Sequence, residues 1–169
     1  MNFLTRLNTE TKIKLGLIIV LIVFTISLLL SFKATPASIF FPLKRIQEKI
    51  FLKFKSNPES QVEYLSSLLN IRLDELRSMA GSENHSYILS SSLRYSSTAG
   101  DITRLIKDNK LGSQTKIVVE MFNKHKQVLL KVLENYPKDL DTERKYVEDD
   151  INYLSIYIDQ LSKSMSALK

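Results

Sequence analysis

Three short patterns bring together residue types able to do chemistry. Ser113-Gln-Thr-Lys116 places a hydroxyl and an amine one helical turn apart, the S-x-x-K spacing by which penicillin-recognising enzymes activate a serine nucleophile. Neither an S-D-N nor a K-T-G element follows it, and Ser113 falls where a helix needs its cap. Asp139-x-Asp141-x-Glu143, with Asp150 twelfth, imitates the oxygen ligands of a calcium loop. Arg144 stands where such a loop turns on glycine, and Asp150 replaces the long bidentate glutamate, so acidic residues at a helix N-terminus explain the cluster better. His125 could ligate a haem or a metal inside a bundle, yet no E-x-x-H partner exists, and a single histidine on an apolar face is ordinarily just packed. These patterns assign no catalytic, cofactor-binding or metal-ligating residue. The expectation is a protein that is not an enzyme and uses no cofactor, since no nucleophile stands beside a base.

The composition points the same way. With no cysteine, disulfide frameworks, thiolate zinc sites, iron–sulfur clusters and thiol nucleophiles drop out, and two histidines, His85 and His125, leave little for any metal centre. The 169 residues suit one domain with an appendage, and 44% hydrophobic content is globular. Four glycines and four prolines among 25% charged residues favour long uninterrupted helices, because phosphate-binding loops and turn-dense sheets need more of both. The predicted class is all-α: an N-terminal transmembrane helix, then a bundle of four or five helices ending in a long antiparallel hairpin.

Residues 15–32, LGLIIVLIVFTISLLLSF, carry no charge. At about 1.5 Å per residue they span ~27 Å, close to the hydrocarbon thickness of a bilayer. Thr25, Ser27 and Ser31 can return their hydroxyls to preceding carbonyls, while Lys12, Lys14 and Lys33 mark the ends. A cleaved signal is the alternative, but its apolar stretch is usually roughly 7 to 15 residues and ends in an A-x-A-like site. Thr35-Pro36-Ala37 is a poor version of one. The reading is an uncleaved anchor that holds membrane lipid through residues 15–32. Cations flank both sides, Arg6, Lys12 and Lys14 before and Lys33, Lys44, Arg45 and Lys49 after, so charge alone does not orient the span. A short tail, residues 1–14, ahead of a long following domain favours a cytoplasmic tail, with the C-terminal domain outside the cytoplasm at the cell membrane.

Beyond a connector at 33–42, the bundle is expected over 43–169. Its first helix runs from Leu43 to about Phe54, with Leu43, Ile46, Ile50 and Phe54 as an apolar stripe expected to pack on the core. The other side carries Lys44, Arg45, Lys49, Lys53 and Lys55 against the single acid Glu48. These cations either form a solvated face or contact anionic membrane-surface groups at about 1 kcal/mol per charge. The second helix begins with Ser56 or Asn57 as cap, Pro58 in its first turn and Glu59 at the positive helix end. Val62, Leu65, Leu69, Leu73, Leu76 and Met79 form its buried stripe, flanked by Arg72 and Arg77 in salt-bridge or solvent roles.

These two helices contain Pro36-x-Ser38-x-Phe40-Phe41-Pro42-Leu43-Lys44-Arg45, then Glu48, Asn57-Pro58-Glu59 and Arg72-Leu73-x-Glu75-Leu76. Over residues 36–80 the pattern resembles a bacterial helical domain of unknown function found in the outer part of membrane-anchored proteins, some anti-sigma factors among them. The resemblance implies an extracytoplasmic domain and an architectural role for the matching positions, and it brings no catalytic residues. With only fourteen residues ahead of the span and the zinc-type histidines and cysteines missing, the expectation is that the chain is not a complete anti-sigma factor unless a second polypeptide supplies that half.

Residues 84–109 read as a kinked helix, weakened near Gly100 by Ser90, Ser91, Ser92, Ser96, Ser97 and Thr98. Small residues that let helices approach closely are the plainer explanation of that patch, and contact with a sugar or polar peptide is the other. Residues 113–136 and 139–168, separated by Pro137, are expected to form the hairpin. Ile117, Val118, Met121, Phe122, His125, Val128, Leu129, Val132, Leu133 and Tyr136 face inward on one helix. Val147, Ile151, Leu154, Ile158, Leu161, Met165 and Leu168 form a heptad seam on the other, with Tyr146, Tyr153 and Tyr157 beside it. Residues 113–169 balance nine basic against nine acidic groups, so nucleic acid is not an expected partner, and an envelope protein is. The patterns fix no oligomeric state. The expected function is a non-catalytic protein-binding or scaffolding module at the cell envelope. The alternative is a ligand-sensing outer domain of a membrane signalling system, recognisable by a pocket above about 300 Å³ with converging polar groups.

Overall fold

The computed structural model describes residues 9–81, 85–138 and 140–166, and all of its regular structure there is helical. In order come α1 (Thr9–Ser31), α2 (Phe41–Lys53), α3 (Pro58–Ala80), a single 3₁₀ turn (His85–Tyr87), α4 (Ile88–Asp108), α5 (Gly112–Glu134) and α6 (Asp141–Ser166). The chain divides into two compact units, one up to Lys49 and one from Ile50 onward. Arg6, Asp139, Leu168 and the first residues of the N-terminal tail lie outside the described residues.

In the first unit, α1 is long and apolar enough over Ile13–Ser31 to cross a bilayer. Its large apolar side chains from Ile13 to Phe24 are exposed on every side. Thr25 and Ser27 donate to the carbonyls of Leu21 and Val23, each at 2.8 Å, the return to the preceding turn that their positions allow. The start of α2 is fastened to the end of α1 by polar contacts. Ser31 Oγ lies 2.7 Å from the Leu28 carbonyl and 2.6 Å from Gln47 Oε1, and Gln47 Nε2 donates to the same Leu28 carbonyl at 3.2 Å. Lys44 Nζ donates to the Ala34 carbonyl at 3.1 Å.

These contacts invert the expected faces of α2. Lys44 and Gln47 are buried, whereas Ile46, Ile50 and Phe54 of the apolar stripe are exposed. Periodicity locates a stripe but not the neighbour it meets, and here the polar groups found the neighbour.

The second unit is a bundle in which α3 packs on α4, α4 on α6 and α6 on α5, with a looser α3–α5 contact closing the ring. α3 is built as its sequence requires. Asn57 Oδ1 accepts from Ser60 N at 2.7 Å, Pro58 occupies the first turn, and the stripe from Val62 to Met79 is buried throughout. α4 is one continuous helix through Gly100, with no break there, and the irregular stretch lies ahead of it at the 3₁₀ turn. Ser91, Ser92, Thr98 and Ala99 are buried, and a Cβ on Gly100 would stand 2.9 Å from the Tyr157 hydroxyl. Close helix approach therefore accounts for the small residues. Thr98 and Thr103 return their hydroxyls to the carbonyls four residues back, which lets them sit inside a helix interior.

Between α4 and α5 the left-handed position belongs to Lys110, at φ 53°, and Gly112 instead opens α5. The α5–α6 hairpin is tied by Arg144, whose Nη1 donates to the Leu133 carbonyl at 2.9 Å, and by Lys126 Nζ donating to Ser155 Oγ at 2.8 Å. Val147, Ile151, Leu154 and Leu161 form the buried seam, while Ile117 and Met165, expected inside, are exposed.

Candidate functional site

α3 and α5 meet more loosely than α3 and α4, α4 and α6 or α5 and α6, and a groove opens between them. Asn70, Leu73, Met121 and His125 line a cavity of about 430 Å³, with exposed Ile117, Glu120 and Lys124 at its rim. Farther along, Arg77, Ala80, Lys131, Val132 and Asn135 line a second of about 390 Å³, and Val128 borders both.

His125 sits at the floor of the first cavity, on the apolar face of α5. The Tyr95 hydroxyl lies 3.0 Å from its Nδ1, and its Nε2 lies 2.9 Å from Asn70 Oδ1. With Asn70 Nδ2 donating to the Ser66 carbonyl at 3.1 Å, Oδ1 faces the ring as acceptor. The consistent assignment has Nε2–H donating to Asn70 and Nδ1 accepting from Tyr95. Burial holds His125 down at about 4, partly offset by Asp74, and raises the Tyr95 phenol, so both groups are neutral near pH 7. A ring whose two nitrogens are engaged has no lone pair for a metal or a substrate proton. The histidine joins α3, α4 and α5 at the groove floor and leaves the groove neutral at that point.

A second buried polar residue comes from the would-be calcium ligands. From Asp141 the segment is helix rather than loop, and Asp150 lies inside the bundle, 1% exposed, with neither carboxyl oxygen hydrogen-bonded among the described residues. Burial pushes it up to about 8, with Asp149 adding to the rise. A carboxyl in this setting holds its proton at neutral pH. No charge pattern marked it, because an acid in a heptad-adjacent position looks the same in sequence whether it faces water or Ser92.

Ser113 and Lys116 are both exposed on the first turn of α5. On α2, Lys44 is 8% exposed and bound to a backbone carbonyl, so it is withdrawn from solvent, while Arg45, Lys49 and Lys53 remain exposed. Lys55 is half-buried, its amine 5.5 Å from the centre of the Tyr64 ring.

The residues shared with the resembled domain are structural in these surroundings. Glu75 pairs with Arg94 at 3.1 Å, both nearly buried, and Arg72 Nη1 donates to the Arg94 carbonyl at 3.0 Å. The Arg-Leu-x-Glu-Leu run thus joins α3 to α4, with Leu73 and Leu76 in the core. Arg77 instead pairs on the surface with Asp74 at 3.4 Å. On the connector side, Pro36 is buried and Ser38 Oγ accepts from Phe40 N at 3.2 Å.

The fold and these contacts define a helical domain, assembled from buried polar pairs and an open groove, behind a helix apolar enough to span a bilayer. Over residues 33–139 the chain matches the model of the family described as Domain of unknown function (DUF5667), and it belongs to that family. The match extends well past the motifs of residues 36–80, taking in all of α2 to α5 and ending just before α6. No curated protein and no solved structure matches the chain.

Proposed function

We propose that this protein is a single-pass, membrane-anchored, non-catalytic binding module of the bacterial envelope, with its bundle outside the cytoplasm and an envelope protein as its partner. The observation that carries the binding role is the α3–α5 groove. Its floor is apolar through Leu73, Met121 and Val128, its neutral histidine has no free nitrogen, and Ile117 stands 61% exposed at its edge. An apolar segment flanked by charge meets matching groups there, since Glu120, Lys124, Arg77 and Lys131 rim the trough. The exposed α1 supports the anchor, and the resemblance to outer domains of membrane-anchored proteins supports the orientation.

The test is photocrosslinking in intact cells from a benzoylphenylalanine placed at Ile117, compared with one at exposed Ser97 on α4. A discrete adduct from position 117, absent from position 97, supports the proposal. Equal or absent adducts at both contradict it. Sensing of a small ligand is the second reading, favoured by cavities larger than about 300 Å³ with Asn70 and Lys124 converging on one of them. It predicts a ligand-dependent rise in melting temperature together with no crosslinked protein.

A further inference from the structure

We infer that α2 is an interfacial helix that lies in the lipid headgroup layer beside the end of the span, and that its occupant is the anionic membrane surface. This rests on the anchoring role given to α1. One arc of the helix, through Lys44 and Gln47, is spent on the Ala34, Ser31 and Leu28 contacts that fasten it to the end of α1. At about 100° per residue, Arg45, Lys49 and Lys53 occupy the next arc, and Ile46, Ile50 and Phe54 the one after. The apolar residues of that last arc are open to solvent, Phe54 at 79% and Ile46 at 55%. Ile39, in the connector just before the helix, adds a further exposed apolar side chain.

A water-facing helix does not ordinarily keep a row of isoleucines and a phenylalanine bare beside a row of cations. A helix lying in a bilayer interface needs that pairing, with cations toward headgroups and apolar side chains toward the acyl boundary. Position and chemistry agree, because the residues that fasten α2 belong to the last turn of the span and the four residues after it. The surface therefore fits phospholipid of net negative charge better than a protein, and of the five cations that sequence offered for either a solvated face or a membrane contact it uses Arg45, Lys49 and Lys53, together with an inserted apolar row.

The chain has no tryptophan, so a single introduced one reports cleanly. The full-length protein is reconstituted into vesicles of phosphatidylcholine with phosphatidylglycerol, carrying Ile46→Trp, Phe54→Trp, Ile22→Trp or Tyr153→Trp in separate preparations. Circular dichroism checks that each variant is helical. The inference predicts that tryptophans at 46 and 54 are quenched by lipids brominated near the headgroup and shielded from aqueous iodide. The one at 22 is quenched by deeper bromine, and the one at 153 by iodide alone. Adding Arg45→Glu and Lys49→Glu to Phe54→Trp should lower the lipid-bound population about fivefold per cation lost. Iodide quenching at 46 and 54 while position 22 stays lipid-quenched overturns the inference and leaves the anchor standing. Shielding of 46 and 54 from both quenchers, the signature of a protein cover, overturns it as well. Absence of lipid quenching at 22 overturns the anchor and this inference together.

Discussion

Asp150→Asn should change the pH dependence of stability in a way that follows from two buried groups with opposite signs. Asp150 has its folded value raised from 3.8 to about 8. Below 3.8 both states hold the proton and nothing is lost. As pH rises toward 8 the unfolded chain ionises while the folded one does not, so stability falls by about 1.4 kcal/mol per pH unit, or about 4 kcal/mol by pH 7. His125 is lowered from 6.5 to about 4. Its contribution is complete above 6.5 and is lost as pH falls, at the same rate per unit and amounting to about 3 kcal/mol at pH 4. Between 4 and 6.5 the two slopes cancel, and between 6.5 and 8 the aspartate acts alone, removing about 2 kcal/mol. An asparagine presents nearly the shape and polarity of the protonated carboxyl, so the variant should match the wild type near pH 4. It should then gain steadily on it, reaching about 4 kcal/mol of added stability at pH 7. Urea titrations of the full chain in a mild detergent, followed by circular dichroism from pH 4 to 8, measure this. Parallel curves for the two proteins, or a wild-type stability that rises from 6.5 to 8, would refute the reasoning.

The helix ends and the buried ion pair give further outcomes by the same urea assay. Asn57→Ala removes the acceptor for Ser60 N and should cost about 1 kcal/mol, with Asn57→Asp losing much less. Lys110→Gly relieves a left-handed backbone at φ 53° and should stabilise by about 0.5 to 1 kcal/mol, whereas Gly112→Ala, with no atom within 4 Å of the added Cβ, should not destabilise. Glu75→Gln leaves the Arg94 charge nearly buried and should cost about 3 kcal/mol; replacing the pair together with Glu75→Met and Arg94→Leu should cost less than the single change.

The helical class, the cap and stripe of α3 and the part of the α6 seam from Val147 to Leu161 were legible because each depends on the chain's own periodicity and on side chains that reach only their own backbone. The hydroxyl bonds of Thr25 and Ser27 fall in the same group. What sequence did not reveal depends on neighbours. Lys44 reads as a surface cation until the Ala34 carbonyl is beside it, and Ile46 reads as core until no core is found there. The serines and Gly100 lower helix propensity by less than about 1 kcal/mol each, too little to break α4, which stays continuous where Gly100 packs against Tyr157. The His125 triad was half visible, since its apolar setting was clear, but Tyr95 and Asn70 lie 30 and 55 residues away and nothing local pairs them.

The claim on which the functional reading stands is that α1 holds the bundle to the outer face of a membrane. With no cysteine in the chain, Ser97→Cys gives a single thiol on an exposed position of α4. The direct measurement is its reaction with a membrane-impermeant maleimide in intact cells, followed by alkaline carbonate extraction of the membranes. The account predicts full labelling before lysis, with the labelled protein retained in the carbonate-washed pellet. Labelling only after lysis, or a labelled chain released into the supernatant, would contradict it.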